Sequence, residues 1–284
     1  MSTISGRTRV AAVWGWPVRH SASPAMHNAA FAALGLDWVY VPFAVDPDHV
    51  SAAVEAIRGL GIEGVNVTVP LKEQVGAFLD DLTPVARRLG AVNTIFREGD
   101  ALVGDSTDGD GFMAALAHAG VSDLPGRKAL VLGAGGSARA VVDALSRSGA
   151  RVAVSNRTRD RAEALRDLGA VETIEWEERA LARAMPGCDV VVNTTSLGMS
   201  PHPETMPPIS AAALAESGLV MDLVYNPPRT RLMECAEASG VRAVNGLEML
   251  VRQGALAFGR WTGAEAPIDT MRAAARRALG LPAE

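Results

Sequence analysis

The sequence predicts an α/β protein of two domains, the first built on a parallel or mixed sheet and the second on a parallel one. Three observations carry this. Short apolar runs of strand length alternate with helical stretches from residue 10 to residue 244, the pattern of βαβ units. A glycine-rich turn at residues 133–136 stands between an apolar strand and a helix, well inside the chain. At 284 residues the chain is long for one core, and 48% hydrophobic with 21% charged residues is a globular composition.

Each element has a local reason. "VAAVWG" (10–15) reads as a strand, and Ser23 with Pro24 signals the start of a helix "PAMHNAAFAAL" that Gly35 stops. "WVYVPF" (38–43) is a second strand, followed by a helix near 47–58 ending at Gly59. "GVNVTV" (64–69) is a third strand, and "LKEQVGAFL" (71–79) the helix expected after it. A further helix, the short strands "AVNTIF" and "ALVGD", and the helix "FMAALAHAG" close the first domain. "ALVL" (129–132) then opens a second sheet, continued by "RVAVSNR", "CDVVVNTT", "GLVMDLVY" and "VRAVN". The C-terminal "GLEMLVRQGALAFGRWTG" and "IDTMRAAARRALG" are helical and are expected to pack back on the first domain. The expected division is 1–112 completed by helices at about 247–284, with 113–246 as the second domain.

Composition excludes several classes. A net charge of −5 speaks against a nucleic-acid protein, which displays a basic face. No apolar run has the length of a membrane span, and "MSTISGRTRV" has no apolar core of a signal peptide, so a cytoplasmic location is expected. Cys188 and Cys235 show no metal or disulfide spacing. His20 and His27 are seven apart without a third ligand, and no metal site is expected.

Gly133, Gly135 and Ala138 fit G-x-G-x-x-G/A after a strand and before a helix. The first glycine suits a tight turn, the second lets a pyrophosphate approach the backbone at the helix N-terminus, and Ala134, Gly136 and Ser137 complete the loop. The next strand ends in "SNRTRDR". Where a site for NAD carries an acid, here stand Asn156, Arg157, Thr158 and Arg159. Guanidinium groups suit a 2′-phosphate that a carboxylate would repel, so the expected cofactor is NADP(H).

In "GVNVTVPLKE", Val65, Val67 and Val69 alternate with Asn66 and Thr68, giving a strand with one apolar and one polar face. Pro70 opens the expected helix with Lys72 in its first turn, where unsatisfied N–H groups make a cation unfavourable. Such placement marks Lys72 as a functional candidate. Ser21 and Ser23 precede Pro24: capping accounts for such serines, and together with free N–H groups they also make a place for a carboxylate. Asn93 and Asp108 stand near strand ends, where open parallel sheets bind ligands. Asn, Thr, Lys and Asp side chains meeting there suit a small polyhydroxylated molecule.

Taken together the chain resembles the shikimate dehydrogenase family over almost its whole length. The motifs stand in order: "HSASP", "NVTVPLKE", "GAVNT", "TDGDG", "GAGGSARA", "SNRT", "NTTSLGM", "MDLVYNPPRT" and "GLEMLVRQGALAFGRWTG". Ser106 departs from the asparagine usual before Thr-Asp-Gly and leaves Asp108 in place. The resemblance implies reversible NADPH-dependent reduction of 3-dehydroshikimate to shikimate, in aromatic amino-acid biosynthesis through chorismate, by a monomer or homodimer. It implies that Lys72 and Asp108 are the catalytic pair and that Ser21, Ser23 and Tyr225 hold the ring carboxylate. It gives Asn66, Thr68, Asn93 and Gln253 to the ring hydroxyls or pocket lining. Asn193, Thr194, Leu223, Gly246 and Met249 would lie near the cofactor. Which member of the pair donates the proton stays open. Competing expectations are a quinate/shikimate or aminoshikimate dehydrogenase of the same superfamily, and a non-catalytic shikimate- or nucleotide-binding regulatory module. The Arg157 region speaks against an NAD enzyme, and the retained Lys/Asp pair against the module.

Overall fold

The computed structural model describes residues 4–282, and the chain divides into two compact units. The first runs to Gly111 and resumes at Leu250; the second is Phe112–Met249.

The first unit begins with strand β1 (Arg9–Gly15), helix α1 (Ser23–Ala33), β2 (Trp38–Ala44) and α2 (Val50–Leu60). It continues through β3 (Gly64–Val67), β4 (Asp81–Leu82), α3 (Pro84–Leu89), β5 (Thr94–Glu98) and β6 (Ala101–Asp105) to the start of α4 (Asp108–His118). The sheet order is β2-β1-β3-β5-β6-β4. It is mixed: β1 pairs parallel with β2 and β3, whereas β5 is antiparallel to both of its neighbours. The cause is the two-residue link between Glu98 and Ala101. Gly99 at φ 61° permits a tight hairpin, and a hairpin reverses the strand. Val65, Val67, Leu71, Val75 and Ile95 are buried in one cluster with Ala12 and Trp14.

Three expectations are corrected here. The segment after β3 is not an α-helix but two 3₁₀ pieces, Leu71–Glu73 and Val75–Phe78. Its N–H groups reach three residues back, as from Gln74 to Leu71 O and from Leu79 to Gly76 O. Gly76 weakens helix propagation there, and the burial of Leu71 and Val75 fixes the segment instead. Lys72 therefore does not stand in the first turn of an α-helix. Val69 lies beyond the strand and is 56% exposed, so it does not anchor the core. Finally, α2 runs through Gly59 to Leu60 and is ended by Gly61 at φ 64°, the left-handed conformation of a helix stop.

The second unit holds β7 (Lys128–Leu132), α5 (Gly136–Arg147), β8 (Arg151–Ser155), α6 (Arg159–Glu163), β9 (Ala170–Ile174) and α7 (Glu178–Ala184). Then come β10 (Cys188–Asn193), α8 (Ala211–Leu214), β11 (Ser217–Asp222), α9 (Arg231–Ala238) and β12 (Arg242–Val244). All pairs are parallel, in the order β12-β11-β10-β7-β8-β9. Strand β9, "AVETI", was not among the expected strands; it is an edge strand that carries an acid and so lacks a continuous apolar signal.

Helices α10 (Leu247–Thr262) and α11 (Ile268–Ala278) bring the chain back to the first unit. There α11 packs on α1. Trp261 Nε1 donates to Ile95 O at 3.0 Å, and its indole lies where a side chain at Gly64 would be. Arg260 grips the buried carboxylate of Asp105 through Nε (3.1 Å) and a terminal nitrogen (3.0 Å).

Candidate active site

Lys72 Nζ and Asp108 Oδ2 are 2.6 Å apart, with side-chain exposures of 12% and 5%. Lys72 comes from the 3₁₀ turn after β3, and its carbonyl accepts from Val92 N (2.8 Å), which ties that turn to the strand entry carrying Asn93. Asp108 opens α4, where a carboxylate is favoured by the free N–H groups of the helix start.

Asn93 joins the parts. Its Nδ2 donates to Asp108 Oδ1 (2.7 Å), Thr107 Oγ1 (2.9 Å) and Gln253 Oε1 (3.2 Å). Its Oδ1 accepts from Thr107 N (2.8 Å) and Thr94 Oγ1 (2.9 Å). Gln253 is on α10 and reaches this site because Gly111 has no side chain: a Cβ there would stand 2.7 Å from Gln253 Cβ. Asn66, buried in β3, accepts from the Tyr40 hydroxyl at 2.7 Å and donates to Asn93 O (3.2 Å) and Thr94 Oγ1 (3.3 Å). Five sequence-marked residues, Asn66, Lys72, Asn93, Asp108 and Gln253, thus belong to one hydrogen-bonded group. Tyr40, Thr94 and Thr107 belong to it as well and had not been singled out. Thr94 stood within "GAVNT", but nothing local distinguishes Tyr40 from any apolar strand residue.

Thr68 follows β3 and lays its methyl over Gly15, 2.6 Å from where a Cβ would be. Neither serine caps α1. The N-cap position is Ala22, and Ser23 is already helical. Ser21 Oγ instead accepts from Ser23 N at 3.2 Å. Pro24, with its φ preset for the first turn, lets the helix begin at Ser23, one residue earlier than expected.

In the second unit the glycine turn lies at the switch point of the strand order, where β7 is flanked by β8 on one side and β10 on the other. Gly133 has φ 111°, and a Cβ there would be 2.5 Å from Thr194 Oγ1. Thr194 gives both its N–H (2.8 Å) and its hydroxyl (2.7 Å) to Leu132 O, holding the end of β10 over the turn. Nothing stands within 4 Å of a Cβ at Gly135, so a ligand has room to reach the backbone. No side chain caps α5, whose N-cap is Gly135, and Ala134 and Ala138 are buried while Ser137 is half-buried. These residues fit a pyrophosphate.

After β8, Asn156 Nδ2 donates to Thr158 O (2.8 Å), shaping a turn that exposes Arg157, Thr158 and Arg159. Arg159 is paired with Glu163 (2.7 Å) and with Glu175, which offsets its charge. Arg157 enters no ion pair among the described residues, and the exposed Arg161 adds a further guanidinium that sequence alone had not marked. At the far strand ends, Asn193 is fully buried. Its Nδ2 donates to Asp222 Oδ1 (2.9 Å), and its Oδ1 accepts from Thr195 N (3.1 Å) and Oγ1 (2.7 Å). Burial pushes the Asp222 carboxyl up to about 6, against the lowering effect of hydrogen bonds from Thr230, Val224 N and Asn193. Leu223 N donates to Asn193 O (2.9 Å), and a side chain at Gly246 would overlap the Leu223 carbonyl. Met249 is buried and Tyr225 half-buried, both in this unit. Among the described residues no group of three or more His, Cys, Asp or Glu is placed to hold a metal, and no helix is long and apolar enough to cross a membrane.

A Rossmann sheet with an open glycine turn, and a buried lysine–carboxylate pair set among amides, define the class: a dinucleotide-dependent oxidoreductase. The chain is 46% identical over 276 residues to the shikimate dehydrogenase (NADP(+)) of Desulforamulus reducens, covering 95% of each chain, and 48% identical to that of Symbiobacterium thermophilum, covering 98% and 97%. It belongs to the shikimate dehydrogenase family. Residues 13–95 match the model for the shikimate dehydrogenase substrate binding domain, 115–223 that for shikimate / quinate 5-dehydrogenase, and 246–276 that for the shikimate 5'-dehydrogenase C-terminal domain. Among solved structures it is similar to a shikimate dehydrogenase in complex with NADP+, with TM-score 0.90, 36% identity and 98% of each chain covered. It is also similar to the Thermus thermophilus enzyme in complex with NADP(H) and shikimate, with TM-score 0.86, 41% identity and coverage of 95% and 100%.

Proposed function

We propose that this protein catalyses the reversible NADPH-dependent reduction of 3-dehydroshikimate to shikimate, a step toward chorismate and the aromatic amino acids. The observation that carries the proposal is the buried Lys72–Asp108 pair, 2.6 Å apart and fixed by Asn93. NADPH, when bound, supplies the hydride. As a ketone is reduced, negative charge develops on its oxygen and must be stabilised and protonated. An ammonium hydrogen-bonded to a carboxylate does the first directly, and the pair together supplies the proton. Asn93 holds the second carboxylate oxygen, so Asp108 keeps its orientation while the proton moves.

Around that pair, Asn66, Thr68, Asn93 and Gln253 are the candidates to bond ring hydroxyls or line the pocket. Ser21, Ser23 and Tyr225 are the candidates for the ring carboxylate. In the second unit the Gly133–Ala138 turn would take the pyrophosphate and Arg157 the 2′-phosphate. Asn193, Thr194, Leu223, Gly246 and Met249 would line the nicotinamide end. The proposal places the protein in the cytoplasm as a monomer or homodimer acting on small molecules.

The test is a spectrophotometric assay of shikimate and of quinate oxidation, each with NADP and with NAD. Shikimate with NADP is expected to be the preferred pair. No rate with that pair overturns the proposal, and a preference for quinate with NAD would transfer the protein to the quinate branch.

A further inference from the structure

Behind the candidate pair, a run of hydrogen bonds crosses the sheet with every donor pointing the same way. Tyr40 Oη donates to Asn66 Oδ1 (2.7 Å), and Asn66 Nδ2 to Thr94 Oγ1 (3.3 Å). Thr94 Oγ1 donates to Asn93 Oδ1 (2.9 Å), and Asn93 Nδ2 to Asp108 Oδ1 (2.7 Å). The run passes from β2 through β3 and β5 to the start of α4, and all five residues are buried.

Its direction follows from chemistry at one end. The Asp108 carboxylate, paired with Lys72, only accepts, so Asn93 must turn its N–H toward it. The Asn93 carbonyl then faces Thr94, whose hydroxyl must donate. The oxygen of Thr94 is left to accept, which obliges Asn66 to present its N–H and so to turn its carbonyl to Tyr40. A single donor, the phenol, closes the series. The phenol itself is held by packing. The His27 ring stacks on Tyr40 at 4.3 Å between centroids and 12° between planes, Trp261 lies against Tyr40 at 6.0 Å, and Phe258 in turn packs on His27. Both His27 ring nitrogens are buried, and the imidazole both stacks on the phenol and lies beside the Asn66 side chain.

We propose that Tyr40 and Thr94 are positioning residues for the Lys72–Asp108 pair, their hydroxyls reinforcing the main-chain Thr107 N–H on the Asn93 carbonyl (2.8 Å) and the main-chain Asn93 carbonyl on the Asn66 amide (3.2 Å) in holding both amides in the one orientation that presents N–H to Asp108. The proposal rests on the catalytic assignment of that pair made above. Without the Thr94 hydroxyl, the Asn93 carbonyl is left with Thr107 as its donor, and the amide is held less firmly against Asp108. Loss of the phenol hydroxyl leaves the Asn66 carbonyl buried without its donor and the amide held from its N–H side alone.

The test compares Thr94→Val, which keeps the shape and removes the hydroxyl, with Thr94→Ser, which keeps the hydroxyl, and adds Tyr40→Phe. In shikimate oxidation, Thr94→Val is expected to lower kcat about tenfold and Tyr40→Phe several-fold, with KM for NADP unchanged and Thr94→Ser within about twofold of wild type. Wild-type kcat in Thr94→Val, or a Thr94→Ser variant as slow as Thr94→Val, overturns it. A second readout is independent of turnover: the side-chain amide resonances of Asn66 and Asn93 in the ligand-free protein. They are expected to be sharp and slow to exchange in wild type and Thr94→Ser, and to broaden in Thr94→Val and Tyr40→Phe. Unchanged amide signals overturn the proposal even if shikimate proves not to be the substrate, whereas an inactive wild type with the expected amide changes counts against the substrate assignment alone.

Discussion

Lys72 holds its ammonium 2.6 Å from a carboxylate that is 5% exposed, and at that depth each charge depends on the other for solvation. Lys72→Ala is expected to lower kcat by about 10²–10⁴-fold with a much smaller change in KM, as steady-state kinetics would show; wild-type turnover would remove Lys72 from the mechanism. Two buried groups outside that pair give the protein a pH signature. Burial pushes His27 down to about 3 from 6.5, so unfolding takes up a proton below pH 6.5, and stability present above that value is lost as pH falls toward 3. Asp222 runs the other way. Its carboxyl is pushed up to about 6 from 3.8, the folded state holds the proton more tightly, and stability present below 3.8 is lost as pH rises to 6. Between pH 6 and 4 the two slopes, each about 1.4 kcal/mol per pH unit, oppose one another. Urea unfolding as a function of pH separates them. From pH 7 to 5 wild type should lose about 2 kcal/mol relative to His27→Phe, and from pH 6 to 4 Asp222→Asn should lose about 2 kcal/mol relative to wild type. Parallel curves for all three proteins would contradict both assignments.

Among the elements, β2 shows how an edge strand is kept from pairing with another chain. It is the outer strand of its sheet and carries the apolar stretch "WVYVPFA". The Asn28 side chain on α1 acts as a substitute strand: its Oδ1 accepts from Tyr40 N (2.8 Å) and its Nδ2 donates to Tyr40 O (2.9 Å). Trp38 N is taken by Leu36 O (2.9 Å), and Pro42, two residues past Tyr40, has no N–H to offer. Asn28→Ala should therefore cost about 1–3 kcal/mol from the two lost hydrogen bonds and raise the tendency to self-associate. Size-exclusion chromatography with light scattering across a concentration series checks this, and a variant that elutes like wild type at every concentration would show that Asn28 does not guard the edge. Since Tyr40 also begins the hydrogen-bond run toward Asp108, the same strand serves both edge protection and the site.

For the molecule as a whole, the first unit is discontinuous: its sheet comes from the N-terminal stretch, but α10 and α11 come from the other end of the chain. Trp261, Phe258, Arg260 and Gln253 on α10 supply core packing, an ion pair to a buried carboxylate and a member of the candidate site. A chain ending at residue 246 would leave Asp105 buried without Arg260 and the β1–β3–β5 face without its indole. Its loss should exceed the roughly 5–15 kcal/mol by which a domain is stable. In hydrogen exchange, residues 4–111 of that truncated chain are expected to lose protection while 128–222 keep theirs; equal protection in both would mean that the first unit folds without its C-terminal helices.

What the sequence determined by itself was whatever depends on neighbours along the chain. Strand and helix periodicity, the Gly133–Gly135 turn and the arginines after β8 are local patterns, and the motif series was enough to indicate the family. Lys72 was legible because a cation is unfavourable at a helix start, and Asn93 and Asp108 because they stand near strand ends, where an open sheet binds ligands. Only the tertiary structure decided matters of contact. Residues 71–79 form 3₁₀ turns because burial of Leu71 and Val75 outweighs their helical pattern, so it is Asp108, 36 positions away, that meets the lysine charge. The Arg159 charge is offset by Glu175 from beyond the next strand, and the Tyr40 hydroxyl is a donor to Asn66 rather than one more buried ring. Hydrogen bonds between residues far apart in the chain depend on which strands lie side by side, and that order is set by packing rather than by any single stretch of sequence.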